Sequence, residues 1–316
     1  MRPDVRRWAG WLARLCVSAG LVWWLFSRFE LSGIIASLQE LSPLVWLIAV
    51  LMYLAAQVLS SLRWFLLSNA LSFPGPWRTY LVFYFVGMYF NLFLPTSVGG
   101  DVLKIHFLSR GEGRRLMAAW SVVGDRIFGL LAMVLLGAGA AVLSPEILPG
   151  HFVTALWIGG IVTVCGLLGL PFVQRILRGL WPTLAERLRG ALVLWQMPRR
   201  ILAVLALSFC LQALGMGAVA LLGGGIGLKI PLIFYFASLP LINIATAIPI
   251  TLSGVGVREG SFVYFLGLKG VQPEQALCLG ILFFSIQVAT SLLGGVAYAL
   301  GLHRRQVWTR RPGLTD

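Results

Sequence analysis

Six ionisable side chains lie within or beside long apolar stretches of the sequence. They are Asp101, Lys104, Asp125, Arg126, Arg258 and Glu259. A charge at membrane depth costs about 3 kcal/mol or more unless it is paired or hydrated, so such residues indicate a functional site. The cations suit a phosphate or carboxylate ligand, and Asp101 and Glu259 are candidate proton carriers. The alternative is an ion-pair network that only stabilises the fold.

Two turns rich in glycine and hydroxyl residues accompany these charges, each following an asparagine and a proline. Glycine lets the backbone approach a ligand closely, and a helix N-terminus presents N–H donors with a partial positive charge. We therefore expect an anion site there, although tight turns and close helix packing would need the same glycines. The candidate substrate-binding residues are Asn91, Ser97, Gly99, Gly100, Asp101, Lys104, Asp125, Arg126, Asn243, Ser253, Gly254, Gly256, Arg258 and Glu259.

Charges that are adjacent in the sequence are not expected to pair with each other. In a helix, contacts form between residues three or four positions apart. Asp125 and Arg126, like Arg258 and Glu259, should therefore find partners on other elements. One economical arrangement pairs Asp101 with Arg258 or Arg126, which leaves the lysine or one guanidinium for substrate.

The composition places these residues in a membrane protein. Of the 316 residues, 59% are hydrophobic and 11% are charged, and the mean hydropathy is +0.88. Soluble domains have about 25% charged residues, so a water-soluble globule is excluded. The long apolar stretches lack the alternation of barrel strands, so we predict an all-α, polytopic helical bundle. The net charge of +14 indicates contact with anionic lipids rather than nucleic acid.

Apolar windows predict about six full spans and two interrupted regions. The spans are 8–27, 43–67, 118–143, 152–174, 200–222 and 276–302, and the interrupted regions are about 78–110 and 230–268. Lys and Arg concentrate in cytoplasmic loops, which places both termini inside. Arg63 lies near the cytoplasmic end of the second span, and we expect its long side chain to reach the interface.

The interrupted regions are predicted to be re-entrant hairpins formed by broken helices. Arginines flank the first region on both sides, so both of its ends should be cytoplasmic, whereas the second should begin and end outside. Hairpins that enter from opposite faces imply an inverted repeat, with halves of about 43–143 and 200–302 in a single domain that covers 1–316. Broken helices at corresponding positions often mark the central site of a transporter.

Metal, cofactor and enzyme chemistry find no support in the sequence. The four cysteines lie alone in apolar runs, and the three histidines are scattered, so no ligand spacing for a metal is present. No nucleophile and base pair and no cofactor motif occurs in the loops. We therefore expect neither a cofactor nor an enzymatic activity.

Three motifs resemble the flippase-like family typified by the membrane region of lysylphosphatidylglycerol synthase. They are NLFLPTSVGGDVLK at 91–104, GDRIFG at 124–129 and PITLSGVGVREG at 249–260. The resemblance implies a lipid-handling membrane protein with re-entrant helices, whose relatives move aminoacylated phospholipid or accompany polyprenyl-linked sugar or hopanoid pathways. It also implies functional roles for the six charged residues named above. The aminoacyl transferase domain of the synthase has no counterpart here, so synthase activity is not expected.

The leading functional hypothesis is a bacterial inner-membrane translocase for an anionic lipid of the phospholipid, aminoacyl-phospholipid or polyprenyl-phosphate type. One alternative is a membrane partner that presents lipid to a separate transferase without moving it, and another is a lipid transporter of a hopanoid pathway. The small-residue faces also permit a homodimer.

Overall fold

The computed structural model describes residues 20, 31–93, 99–110, 113–181, 183, 197–248, 251 and 254–305. Within them all the regular structure is helical, which confirms the all-α prediction. The helices are α1 (Leu31–Glu40), α2 (Pro43–Ala70), α3 (Trp77–Phe93), α4 (Gly99–Ser109), α5 (Arg115–Leu143), α6 (Gly150–Leu180), α7 (Pro198–Gly225), α8 (Leu232–Ala247), α9 (Val257–Gly267), α10 (Pro273–Ala299) and α11 (Leu302–Arg305), with one 3₁₀ turn at Pro145–Ile147.

Four of the described helices are long and apolar enough to cross a membrane, namely α2, α5, α7 and α10. They match four of the predicted spans to within a few residues. Helix α6 covers the predicted span at 152–174, whereas the span at 8–27 lies outside the described residues except for residue 20. The protein is therefore a polytopic helical membrane protein.

The first interrupted region forms two short helices, α3 and α4, which run antiparallel to each other. Near the start of the contact, the rings of Phe83 and Phe107 stack with their centroids 5.1 Å apart. Further along, Asn91 contacts Gly100, whose N–H donates to the asparagine Oδ1 at 2.7 Å. Residues late in α3 thus contact residues early in α4, and residues early in α3 contact residues late in α4. The chain therefore returns along α4 to the end of the bundle at which α3 begins.

The second interrupted region forms a corresponding pair, α8 and α9. Helix α8 runs antiparallel to α5, with Asn243 beside Met133 and Pro240 beside Gly137. Helix α9 then returns, because the ring of Phe265 near its end lies 5.0 Å from Phe152 at the start of α6. This pair therefore begins and ends at the opposite end of the bundle from the first pair.

The two ends of the bundle differ in charge. At one end, where α2 ends and α5 begins, Arg114 donates to the carbonyl of Leu71 at 2.7 Å. We name this end the basic end, and it holds Arg78, Arg110, Arg114, Arg115, Arg199 and Arg304. The other end holds Glu40, Glu146, Lys229, Lys269 and Glu274.

Glycines allow the short helices to pack closely against the long ones. A Cβ on Gly294 of α10 would collide with the carbonyl oxygen of Phe85 in α3, and one on Gly295 would meet the ring of Tyr89. The largest buried cluster surrounds α8, α9 and α10 and includes Phe234, Leu239 and Phe262. This packing fixes α3 and α8 relative to the long helices.

Candidate functional site

A cavity of about 290 Å³ lies where the ends of α3 and α8 approach each other. We name it the central cavity. Its polar lining residues come from five helices and include Gln57 of α2, Asn91 of α3, Arg126 of α5, Asn243 and Thr246 of α8, and Gln287 of α10. A polar cavity inside an apolar bundle can hold water or a polar ligand, whereas an apolar void of this size would stay dry.

A second cavity of about 180 Å³ adjoins the central cavity. The two share Tyr53, Gln57, Asn243 and Gln287 as lining residues. On the far side of these residues the second cavity is lined by α7, including Gln212, whose amide donates to the carbonyl of Gly129 at 2.8 Å. The polar space therefore continues between α7 and α10.

Arg126 is the charged lining residue of the central cavity, and Asp101 holds it from behind. The Nε of Arg126 donates to Oδ2 of Asp101 at 2.8 Å, which confirms one of the two predicted pairings for this aspartate. The Nζ of Lys104 lies 2.9 Å from the other carboxylate oxygen, Oδ1. The aspartate and lysine side chains are each about 5% exposed, whereas the Arg126 side chain is 56% exposed. Arg126 is therefore the cation that a ligand in the cavity meets.

Lys104 is held in a closed setting rather than offered to a ligand. Besides its contact with Asp101, its Nζ lies 4.4 Å from the ring centre of Tyr84 and 5.6 Å from that of Trp64. Cation–π contacts of this kind add to the ion pair in a desolvated site. The expectation of one unengaged cation is thus wrong for the lysine, which positions Asp101.

Asp125 pairs with Arg63 of α2 and not with its sequence neighbour. The Nε of Arg63 donates to Oδ1 of Asp125 at 2.7 Å, and its Nη1 donates to Ser208 of α7 at 3.0 Å. Arg63 is only 4% exposed, so the expectation that it extends to the interface is wrong. The carboxylate draws the guanidinium into the bundle, where the pair joins α2, α5 and α7. It lines neither of the cavities described above, and we assign it a structural role.

Arg258 and Glu259 contact each other, contrary to the expectation from helical spacing. Both lie in the first turn of α9, where the Glu259 carboxylate folds back to accept the Gly256 N–H at 2.6 Å. Its other oxygen accepts from Nε of Arg258 at 3.1 Å. The spacing rule fails because it describes a helix interior, and a side chain that folds back at the N-terminus lies across its neighbour.

The guanidinium of Arg258 lies behind the wall of the central cavity. Its Nη1 donates to Oε1 of Gln287 at 3.1 Å, and its carbon lies 4.6 Å from the ring centre of Phe284. Both of these partners line the central cavity, but Arg258 itself does not. Its buried Nη2 has no hydrogen-bond partner in the part of the chain that the structure describes. Arg258 therefore orients Gln287 toward the cavity.

The glycine turns place their backbone donors against the protein itself. The N–H of Gly100 is used by Asn91, and that of Gly256 is used by Glu259. Gly254 and Gly256 have φ values of +74° and +88°, a conformation that favours glycine. The described glycines thus serve the turn and the close packing. Gly99 begins α4 and is half-buried. Ser97 and Ser253 lie outside the described residues.

Several cavity residues had not been selected from the sequence. Gln57 and Gln287 both lie inside long apolar helices, and Gln57 accepts a hydrogen bond from the hydroxyl of Tyr84 at 3.3 Å. An uncharged amide within a membrane span indicates a functional site less strongly than a charge does. It is nevertheless the sequence feature from which these two residues could have been selected. Of the predicted residues, Asn91, Arg126 and Asn243 line the cavity directly.

The arrangement can therefore bind an anionic group. Arg126 supplies a partly exposed guanidinium, and Asp101 and Lys104 hold it in position. The amides of Asn91, Asn243, Gln57 and Gln287 add neutral donors and acceptors, which suit the hydroxyl, phosphate or amino groups of a lipid headgroup.

Comparison with known proteins supports the family suggested by the motifs. A comparison with curated proteins and one with solved structures gave no match. The family model described as the lysylphosphatidylglycerol synthase TM region matches residues 11–295, which is most of the chain. The chain belongs to this family of membrane domains.

Proposed function

We propose that this protein moves an anionic lipid between the leaflets of a bacterial inner membrane. The observation that carries the proposal is the central cavity, which combines Arg126 with four amides where the ends of α3 and α8 meet. Its volume of about 290 Å³ lies at the lower limit of ligand pockets, roughly 300–1,000 Å³. It suits a headgroup whose acyl chains stay in the surrounding lipid.

The proposed path needs the two short helix pairs to be re-entrant hairpins. The first pair begins and ends at the basic end, and the second begins and ends at the opposite end. If the basic end faces the cytoplasm, as the distribution of Arg and Lys favours, each hairpin enters from a different leaflet. A headgroup at the central cavity then has one hairpin on its cytoplasmic side and one on its outer side.

This proposal requires no proton carrier. Asp101 contacts two cations, and Glu259 accepts from Arg258 and a backbone N–H. Both carboxylates are thus engaged by contacts within the protein. The lipid would therefore cross passively, down its own gradient or under the membrane potential.

Reconstitution into liposomes tests the proposal. Fluorescent phosphatidylglycerol in the inner leaflet becomes accessible to a membrane-impermeant quencher only when it crosses the bilayer. We expect the protein to accelerate this crossing and Arg126→Gln to slow it about tenfold or more, since the loss of one charge-assisted contact costs about 1.5–3 kcal/mol. Arg78→Gln, which removes an exposed arginine at the basic end, is the matched control and should keep the wild-type rate.

The same assay separates transport from lipid presentation. The transport proposal would be overturned if the wild-type protein binds phosphatidylglycerol but does not accelerate its crossing. The same must hold when polyprenyl phosphate is the labelled lipid. That outcome would favour a membrane partner that hands lipid to a separate transferase.

A further inference from the structure

A third cavity, of about 630 Å³, lies at the basic end of the molecule, away from the central cavity. We name it the basic-end cavity. Its ionisable lining residues are His106 and Arg110 of α4 and His303 and Arg304 of α11. No acidic residue is among the described residues that line it, and neither arginine makes a salt bridge to a described residue. Positive charge is therefore concentrated there without a counter-ion from the described protein.

His303 is held in this cavity by its aromatic neighbours. Its ring stacks on Tyr298 with centroids 4.6 Å apart and planes 10° apart, and it lies 5.6 Å from the ring of Phe107. The residue is only 8% exposed, and its buried Nδ1 has no hydrogen-bond partner among the described residues. The ring of His303 lines the cavity, so a proton on this imidazole would add a third positive charge beside Arg110 and Arg304.

The protonation of His303 depends on the positive charges of the two arginines in this cavity. Burial, followed by the positive charges of Arg304 and Arg110, lowers the pKa of His303 below its usual value of about 6.5. An anion placed between the arginines would offset their repulsion. Such an anion and a proton on His303 would therefore favour each other's binding.

The remaining wall of the cavity is apolar and aromatic. Phe90, Leu103, Phe107 and Tyr298 form it, and Phe90 lies 5.0 Å from Tyr298 in an edge-to-face contact. A cavity with guanidinium groups on one side and apolar surface on the other fits an amphiphile better than an inorganic ion. Helix α3 separates the two sites, because Phe90 lines this cavity and the next residue, Asn91, lines the central cavity.

We propose that the basic-end cavity is a second ligand site, which binds the phosphate group of an anionic lipid through Arg110, Arg304 and His303. Its apolar wall would contact the glycerol and upper acyl region of that lipid. This inference does not require transport, since a lipid can be held here whether or not it reaches the central cavity.

Calorimetric titration of the purified full-length protein in an uncharged detergent tests the proposal. The probes are short-chain phosphatidylglycerol, inorganic phosphate and short-chain diacylglycerol, which lacks the phosphate. We expect the double variant Arg110→Gln with Arg304→Gln to bind the phospholipid about tenfold or more weakly. Arg78→Gln, an exposed arginine at the same end that lines none of the three cavities, should bind like the wild type.

The three probes identify the source of the phosphate. Stronger binding of the phospholipid than of inorganic phosphate, with no binding of diacylglycerol, supports a lipid site. Equal binding of the two phosphate-bearing probes, still dependent on the arginines, supports the phosphate site but identifies a free anion as its ligand. Unchanged phospholipid affinity in the double variant overturns the proposal. Both arginines are exposed, so their replacement should leave the fold intact.

A pH series provides a second, independent test. Besides His303, the ionisable groups that face the cavity are His106, Arg110, Tyr298 and Arg304. Phospholipid affinity should rise as the pH falls below 6.5 and His303 becomes protonated, and His303→Gln should remove this rise. A rise that His106→Gln removes instead would overturn the role of His303. Both the titrations and the pH series are run in an Arg126→Gln background, which weakens binding of the same lipid at the central cavity and so isolates the basic-end cavity.

Discussion

Arg63 and Arg126 show how burial gives two arginines in the same bundle different roles. Arg63 is 4% exposed and satisfied by Asp125 and Ser208, so its charge serves the packing of three helices. The Arg126 side chain is 56% exposed and paired on one side with Asp101. An arginine that is fixed by one carboxylate but still faces a polar cavity can exchange contacts with a ligand.

At the residue scale, we predict that Asp125→Asn strongly destabilises the protein. The variant leaves the Arg63 guanidinium buried without a counter-ion, which typically costs about 3–5 kcal/mol. Thermal unfolding in detergent measures the loss. The matched control is the double variant Arg63→Gln with Asp125→Asn, which removes both charges and should recover a large part of the stability. A double variant that is less stable than Asp125→Asn alone would contradict the structural role.

The sequence reveals which residues carry charge at depth more readily than it reveals their partners. The pairing of Asp101 with Arg126 could be anticipated because both charges need a counter-ion. The pairing of Arg63 with Asp125 could not be anticipated, because a long side chain near the end of a span can also reach the membrane interface. The contact of Arg258 with Glu259 depends on backbone geometry at a helix start, which spacing rules do not describe.

At the scale of elements, the short helices depend on close contacts at particular glycines. The interruptions by Pro, Gly and Ser predict two broken regions, and the described helices α3, α4, α8 and α9 fall within them. The sequence does not predict how closely these helices approach their neighbours. That approach is set by individual contacts, such as Gly294 against the carbonyl of Phe85 and Gly100 against that of Gly87.

We predict that Gly294→Ala lowers stability by about 1–3 kcal/mol, because its Cβ would collide with the backbone of α3 and force the helices apart. The matched control is Gly139→Ala on the exposed side of α5, where a Cβ would have no atom within 4 Å. That change should leave stability equal or raise it by about 0.5–1 kcal/mol, since alanine favours a helix over glycine. Unfolding in detergent compares the two, and equal stabilities would contradict the close packing.

At the scale of the whole molecule, the two halves follow the same order of elements. Each has a long helix, a short antiparallel pair and a second long helix: α2 to α5 in the first half, and α7 to α10 in the second. The inverted repeat, with halves of about 43–143 and 200–302, stays a prediction. Composition and motifs were enough to predict the fold class and the family. The cavities could not be predicted, since they depend on gaps between side chains from several helices.

Linking the ends of α3 and α8 across the central cavity tests whether a lipid headgroup passes between these two helices. Leu92 and Ala247 line it from opposite helices. In a protein whose native cysteines have been replaced, Leu92→Cys with Ala247→Cys would be joined by a cleavable bifunctional reagent and reconstituted into liposomes. We predict that the linked protein exchanges fluorescent phosphatidylglycerol at least about tenfold more slowly, and that reductive cleavage restores the rate. Each single-cysteine variant, treated identically, should remain active. Exchange that continues at the original rate in fully linked protein would contradict passage of the headgroup between these helices.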